Sequence, residues 1–261
     1  MKCFDPYLKA DALQGPDLDN LAYFGVERVV LISHAPRSFA NERDLTTYWE
    51  ELLEREVPRF ARHGITAHVA LGVHPLASPR RTAPGLLRKL GALVSDERVV
   101  GIGELTIADD LPAQWSLLER QIALVEDLPL MFRVTGELKI NTTYKIANLL
   151  TTKNIAPARA CFCLDDISLA ETMLEDGFSV MLSVGPLDLG AREVGEHVLS
   201  LIDVLGEAVV REQLMFTSAA RDGAGDVLAL ARAVQSLERA GLASALIARL
   251  VYENAAARFG A

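Results

Sequence analysis

The residues with chemistry to offer sit at the ends of short apolar runs. Asp5, Tyr7 and Lys9 close the first run, and His34, His74, Glu104, Arg133, Asp165, Asp166, Ser183, Thr217 and Ser218 close later ones. His34, His74, Glu104 and Asp165 are donors of the kinds that zinc, manganese or iron ions take, and they form one candidate metal set. Lys9 and Arg133 are excluded from any such set, because both are protonated at neutral pH and repel a cation. Tyr7 and Lys9 stand two apart on an extended segment and so share a face. Two fixed cations, one of them a planar fork, suit a carboxylate or phosphate, with hydrogen bonds from Tyr7, Thr217 and Ser218. A desolvated Lys9 is also a candidate for base or imine chemistry, although a neighbouring Glu104 favours its charged form.

Such residues need a scaffold that brings strand ends together. The apolar runs are "KCFDP", "RVVLISH", "TAHVALGVHP", "RVVGIGEL", "LPLMFRV", "ARACFCLDD", "FSVMLSVGP" and "QLMFTSA". Segments of helical spacing separate them. Leu45, Trp49, Leu52, Leu53 and Phe60 repeat as one helix face behind a cap at Asn41, and Pro58 is expected to kink that helix or end it. Trp115, Leu118, Ile122 and Val125 make a second face, and Leu228, Ala231, Val234 and Leu237 a third. Strands alternating with helices imply parallel pairing through right-handed crossovers. Eight such units predict a (β/α)8 TIM barrel, with residues 1–261 as one domain. A doubly wound open sheet is the alternative, disfavoured because no Gly-rich phosphate loop follows the first run.

A net charge of −9 argues against a non-specific nucleic-acid coat, which needs a positive field, but leaves room for a small local basic pocket. No run nears the roughly 20 apolar residues of a membrane span, and no secretory start is evident. Cys3, Cys161 and Cys163 make an odd count, which fits free thiols in the cytoplasm. Cys161 and Cys163 alternate on one strand and read as small apolar packers. His63, His68 and His197 read as packing or surface residues, and "DGAGD" from Asp222 to Asp226 as a turn. Two stretches bring charge over the strand ends: "HAPRSFANERD", with His34, Arg37, Asn41 and Arg43, and "VTGELKINTTYK", with Lys139 and Lys145.

"FDPYLK", "LGVHP", "VVGIGEL", "LPLMFRV", "AETMLEDGFSVMLS" and the closing "VYENAAARFG" fall in the order and spacing of TatD-like metal-dependent hydrolases of the amidohydrolase superfamily. The chain resembles that family along its whole length. The resemblance implies a barrel with a one- or two-metal centre that hydrolyses phosphodiesters or related bonds. Residue by residue, it also implies that most ligands are replaced. The family's His-x-His on the first strand falls on Tyr7 and Lys9, its fourth-strand glutamate on Glu104, and its fifth-strand histidine on Arg133. The sixth-strand histidine falls at or near Leu164, and the last aspartate on Ser218 or Ala219, with Asp222 and Asp226 the nearest carboxylates. His74 survives in "GVHP" but is not a principal ligand there.

The expectation is therefore a divergent TatD-like barrel with a degraded metal site and no cofactor. Its mouth carries a Lys9/Glu104/Arg133 cluster in which cationic side chains replace the ion, making it a pseudoenzyme or a barrel that binds a small anion. The candidate pocket comprises Tyr7, Lys9, His34, His74, Glu104, Arg133, Asp165 and Ser218. One alternative is a hydrolase with a divalent ion (zinc, manganese or iron) on His34, His74, Glu104 and Asp165. Another is a non-catalytic subunit that meets a protein partner, or a second copy, through its outer helices. Nucleic acid and membrane are not expected partners.

Overall fold

Parallel strands covered on both faces must be apolar almost throughout, and every one of the eight runs forms one. The computed structural model describes residues 1–34, 38–77, 84–136, 139–186, 188–220 and 226–260. The strands are β1 (Cys3–Leu8), β2 (Val26–Ile32), β3 (Thr66–Leu71), β4 (Val99–Leu105), β5 (Leu130–Phe132), β6 (Ala160–Leu164), β7 (Ser179–Ser183) and β8 (Leu214–Thr217). They pair in parallel in chain order as one eight-stranded sheet. The helices that return the chain between them are α1 (Gly15–Tyr23), α2 (Glu42–Glu51), α3 (Val57–Ala61), α4 (Pro84–Leu93), α5 (Pro112–Ile122), α6 (Lys139–Thr152), α7 (Ile167–Glu175), α8 (Val194–Leu205) and α9 (Glu207–Gln213). After β8 come α10 (Ala229–Arg239), α11 (Ser244–Ala248) and α12 (Asn254–Phe259). This is a (β/α)8 TIM barrel. No helix of the described residues is long and apolar enough to cross a membrane.

Alternation along the strands divides the buried residues into two layers. Leu31, Phe132, Phe162, Leu182 and Phe216 face the helices. Tyr7, Met131, Cys161, Cys163, Met181 and Met215 fill the barrel interior. Ala255 and Phe259 of α12 close the floor of that interior. Asn254 fixes the plug by donating from Nδ2 to the carbonyls of Arg211 (2.7 Å) and Leu214 (2.8 Å), which is the work of the "YEN" motif.

Between β8 and β1 the closure relies on side chains. Thr217 Oγ1 donates to Asp5 Oδ1 (2.6 Å), and Ser218 donates from its hydroxyl and its backbone N–H to Asp5 Oδ2. One backbone bond, Lys9 N–H to the Ala220 carbonyl at 3.2 Å, joins them. β1 itself runs past Pro6 to Leu8, two residues beyond its apolar run.

Two glycines bring the middle strands unusually close. A Cβ on Gly72 would fall 2.9 Å from the backbone of Gly103, and one on Gly103 would fall 2.8 Å from Cβ of Met131. These glycines of "LGVHP" and "GIGE" let β3, β4 and β5 approach, which sets His74 beside Glu104.

The helix faces hold in part. Leu45, Trp49, Leu52, Leu53 and Phe60 are all buried, and the Asn41 side chain accepts from Asp44 N–H. Pro58 does not end this helix. A wide turn over Leu52–Glu56, with Val57 N–H reaching the Leu52 carbonyl, absorbs the proline's missing donor before α3. The second face is buried at Leu118 and Ile122, with Trp115 half-buried and its Nε1 donating to Asp110 (2.7 Å). In α10 the buried face is Ala229, Leu230, Ala233 and Leu237, not Leu228, Ala231 and Val234. Small residues make that contact because α8 approaches α10 closely at Gly195.

Candidate functional site: the barrel mouth

The carboxyl ends of the strands converge on one end of the barrel, where this architecture places its working groups. Glu104, near the end of β4, is 5% exposed and lies between two neighbours. Lys9 Nζ stands 3.5 Å from its Oε2, and His74 Nε2 stands 3.2 Å from its Oε1. The other ring nitrogen of His74, Nδ1, accepts from Leu76 N–H (3.1 Å), so Nε2 carries the proton and donates to Glu104. Burial, then the positive charge of Lys9 and the proximity of His34, push the His74 pKa down to about 3. His74 is thus a neutral donor, and Lys9 supplies the positive charge opposite Glu104.

Arg133, just past β5 and 4% exposed, has a different carboxylate partner from the one its type and position suggest. Its Nη2 pairs with Asp188 Oδ1 (3.2 Å) and its Nη1 donates to Cys163 Sγ (3.2 Å), while the guanidinium lies 5.6 Å from the centre of the Tyr7 ring. Burial pushes the Cys163 thiol up to about 11, so it accepts as a neutral sulfur. Glu104 still acts on Arg133 through its charge. The expected cluster is thus a chain of charges: Lys9–Glu104 on one side of the mouth and Arg133–Asp188 on the other.

Other candidates are drawn away from Glu104. His34 Nε2 lies 2.7 Å from Asp11 Oδ1 and its ring packs edge-on to Tyr48. Asp165 is held by Lys139 Nζ at 2.7 Å, and Asp166 caps α7 by accepting from Leu169 N–H. Ser218 is committed to Asp5. Lys145 turns to Asp110 at 2.6 Å and Arg43 lies exposed on α2, so neither joins a basic lining over the mouth. Asp226 is engaged by Arg232 Nη1 (2.5 Å) and by Leu228 N–H (3.0 Å). Arg37 and Asp222 lie outside the described residues. His63 pairs with Asp19 at 2.6 Å, as a surface residue would. On β6, Leu164 faces the helices and Cys163 the barrel interior, one residue from the place expected for the sixth-strand histidine.

Tyr7 and Ser183 are fully buried, and neither Tyr7 Oη nor Ser183 Oγ has a hydrogen-bond partner among the described residues. Asp188 and Asp11 were not legible as site residues; both reach their partners from loops distant in sequence.

The chain is similar to an uncharacterized metal-dependent hydrolase of Methanocaldococcus jannaschii, at 27% identity over 148 residues. That stretch is 56% of this chain and 59% of the relative, so the match spans about three fifths of the relative's length. No family model matches. Among solved structures, a TatD-like protein from Archaeoglobus fulgidus superposes with a TM-score of 0.79 at 20% identity, covering 99% of this chain and 100% of that one. The fold is TatD-like. The same architecture extends to a beta-aspartyl dipeptidase from Fervidobacterium islandicum, at a TM-score of 0.70 and 16% identity over 98% of this chain and 72% of that one. A phosphotriesterase from Mycobacterium tuberculosis follows at 0.60 and 12%, over 99% and 93%.

TatD-like barrels imply a metal centre at this mouth, and the residues present here do not fit one at the family's positions. At the positions that the sequence resemblance pointed to, Tyr7, Lys9 and Arg133 carry a phenol, an ammonium and a guanidinium, and Glu104 faces the Lys9 ammonium 3.5 Å away. Among the described residues, no three His, Cys, Asp or Glu side chains are grouped to hold an ion. Of the rearranged set, His74 meets Glu104, whereas His34 and Asp165 are paired elsewhere.

Proposed function

We propose that this TatD-like barrel is a non-hydrolytic, small-anion-binding protein of the cytoplasm in which Lys9 and Arg133 take over the electrostatic role of a metal ion. The observation that carries the reading is the pair of fully buried hydroxyls, Tyr7 Oη and Ser183 Oγ, without partners among the described residues. Leaving a buried donor unpaired costs about 1–3 kcal/mol, so each of these hydroxyls has bonding capacity left for a ligand's oxygen. Tyr7 lies under the Arg133 guanidinium, which adds a planar cationic fork suited to a carboxylate or phosphate. Asp188 and Cys163 hold that fork in place, so little side-chain freedom is lost on binding.

A second reading, hydrolysis with a divalent ion, is favoured by the metal-dependent hydrolase among the chain's relatives. Elemental analysis of the purified protein separates the two. The binding account expects only trace zinc, manganese and iron, and an unfolding midpoint that EDTA leaves unchanged. One equivalent of any of these metals, with a midpoint lowered by EDTA and restored by the metal, would overturn it in favour of the hydrolase.

A further inference from the structure

A groove runs beside the closely packed helices α8 and α10. Two cavities of ≈ 390 and ≈ 270 Å³ adjoin there and share Arg192 and Arg232 in their walls. Arg239 lines the smaller one. We propose that this groove binds a small organic phosphate, with its phosphoryl group against Arg192, Arg232 and Arg239.

The charges support this occupant. Arg232 is committed to Asp226, but Arg192 and Arg239 make no ion pair among the described residues, in a chain whose net charge is −9. Two unmatched guanidinium groups on one groove call for a dianion, which a phosphate monoester is near neutral pH. Glu193 and Asp226 also line the larger cavity, so the uncompensated positive charge lies toward the smaller one, where Arg239 joins Arg192 and no carboxylate of the described residues lines the wall.

The groove is also built rather than accidental. Gly195 of α8 packs so closely on α10 that a Cβ there would fall 2.6 Å from the Ser236 carbonyl. Ser236 Oγ donates to the Arg192 carbonyl (2.7 Å) and accepts from Gly195 N–H (3.0 Å), which fastens the loop bearing Arg192 to the helix bearing Arg232 and Arg239. The inner end of the larger cavity is walled by Gly185, Pro186 and Ala191, small residues that leave room for the organic part. The larger cavity alone, at ≈ 390 Å³, is of the size that small-molecule ligands occupy.

Calorimetric titration of the full chain with inorganic phosphate, and with acetate in parallel, tests the assignment. Phosphate is expected to bind more tightly than acetate, and Arg192→Gln and Arg239→Gln each to weaken it about tenfold. Arg211→Gln, an equal loss of charge elsewhere on the surface, should leave the affinity within about twofold, and the same titrations in an Arg133→Lys background separate groove binding from any binding at the mouth. Phosphate should also protect Arg192 and Arg239 of the unaltered protein from phenylglyoxal, read by mass spectrometry. An affinity that follows Arg133 instead, equal binding of acetate and phosphate, or unprotected Arg192 and Arg239 would overturn the groove. The mouth proposal stands or falls separately, because it does not depend on these arginines.

Discussion

Asp5 and Glu104 are carboxylates buried in the same barrel, 0% and 5% exposed, and they are satisfied by opposite means. Glu104 faces a cation, Lys9, and a neutral imidazole donor. Asp5 faces the hydroxyls of Thr217 and Ser218 and two backbone N–H groups, with no cation bonded to it. Burial drives the Asp5 pKa up to about 6 against the pull of those hydrogen bonds. The contrast shows how a barrel can keep a buried acid in two ways. A fixed cation holds the charge in place, whereas hydroxyls tolerate either protonation state.

The largest effect expected from this contrast is at Lys9. Lys9→Met leaves Glu104 buried against a neutral histidine and should cost about 3–5 kcal/mol in urea unfolding. The double variant Lys9→Met/Glu104→Gln should recover most of it, and a double variant no more stable than the single would break the comparison. Next comes pH. The native pKa of Asp5 lies above its unfolded value, so its contribution is full below about 3.8 and is lost as pH rises through about 6, by about 3 kcal/mol at the full shift. His74 has the opposite sign: its native value of about 3 lies below 6.5, so acidification through that window destabilises the protein. Unfolding free energies between pH 4 and pH 7 should therefore slope more steeply toward acid loss in Asp5→Asn, and reverse their slope in His74→Gln. Identical slopes in the two variants would remove the distinction.

A smaller effect is expected at Ser218, where Ser218→Ala withdraws one donor from Asp5. It should lose about 1–2 kcal/mol near neutral pH and shift the Asp5 transition upward. The smallest effect serves as the control. Lys145→Ala breaks an exposed pair with Asp110 and should change stability by less than about 0.5 kcal/mol at any pH. A larger change would show that exposed pairs matter here as much as the buried ones.

The fold was legible because eight parallel strands need eight apolar runs, and segments of helical spacing separate them. The places of Tyr7, Lys9 and Arg133 at the ends of β1 and β5 were legible too, because the apolar runs fix those strand ends. Partnership was not. Arg133 meets Asp188 across 55 residues and His34 meets Asp11 across 23, through loops whose approach no local spacing encodes. Leu164 shows a different gap: the inward alternation of Cys161 and Cys163 already implied that Leu164 points outward. The face of α10 was hidden because Ala229, Ala233 and Ser236 make up much of it, and small residues give a weak periodic signal.

The side-chain seam between β8 and β1 also bears on the order in which the barrel is made. The bond from Thr217 to Asp5 spans 212 residues, and closing so long a loop costs about 5 kcal/mol of chain entropy. Neighbouring strands, joined by far shorter connections, have every reason to assemble first. Two finished edges then meet late, and rotatable hydroxyls can fasten them without the strict register a strand ladder demands. Pulsed hydrogen exchange should find the amide of Ser218, which bonds Asp5, among the last to gain protection and among the first to lose it.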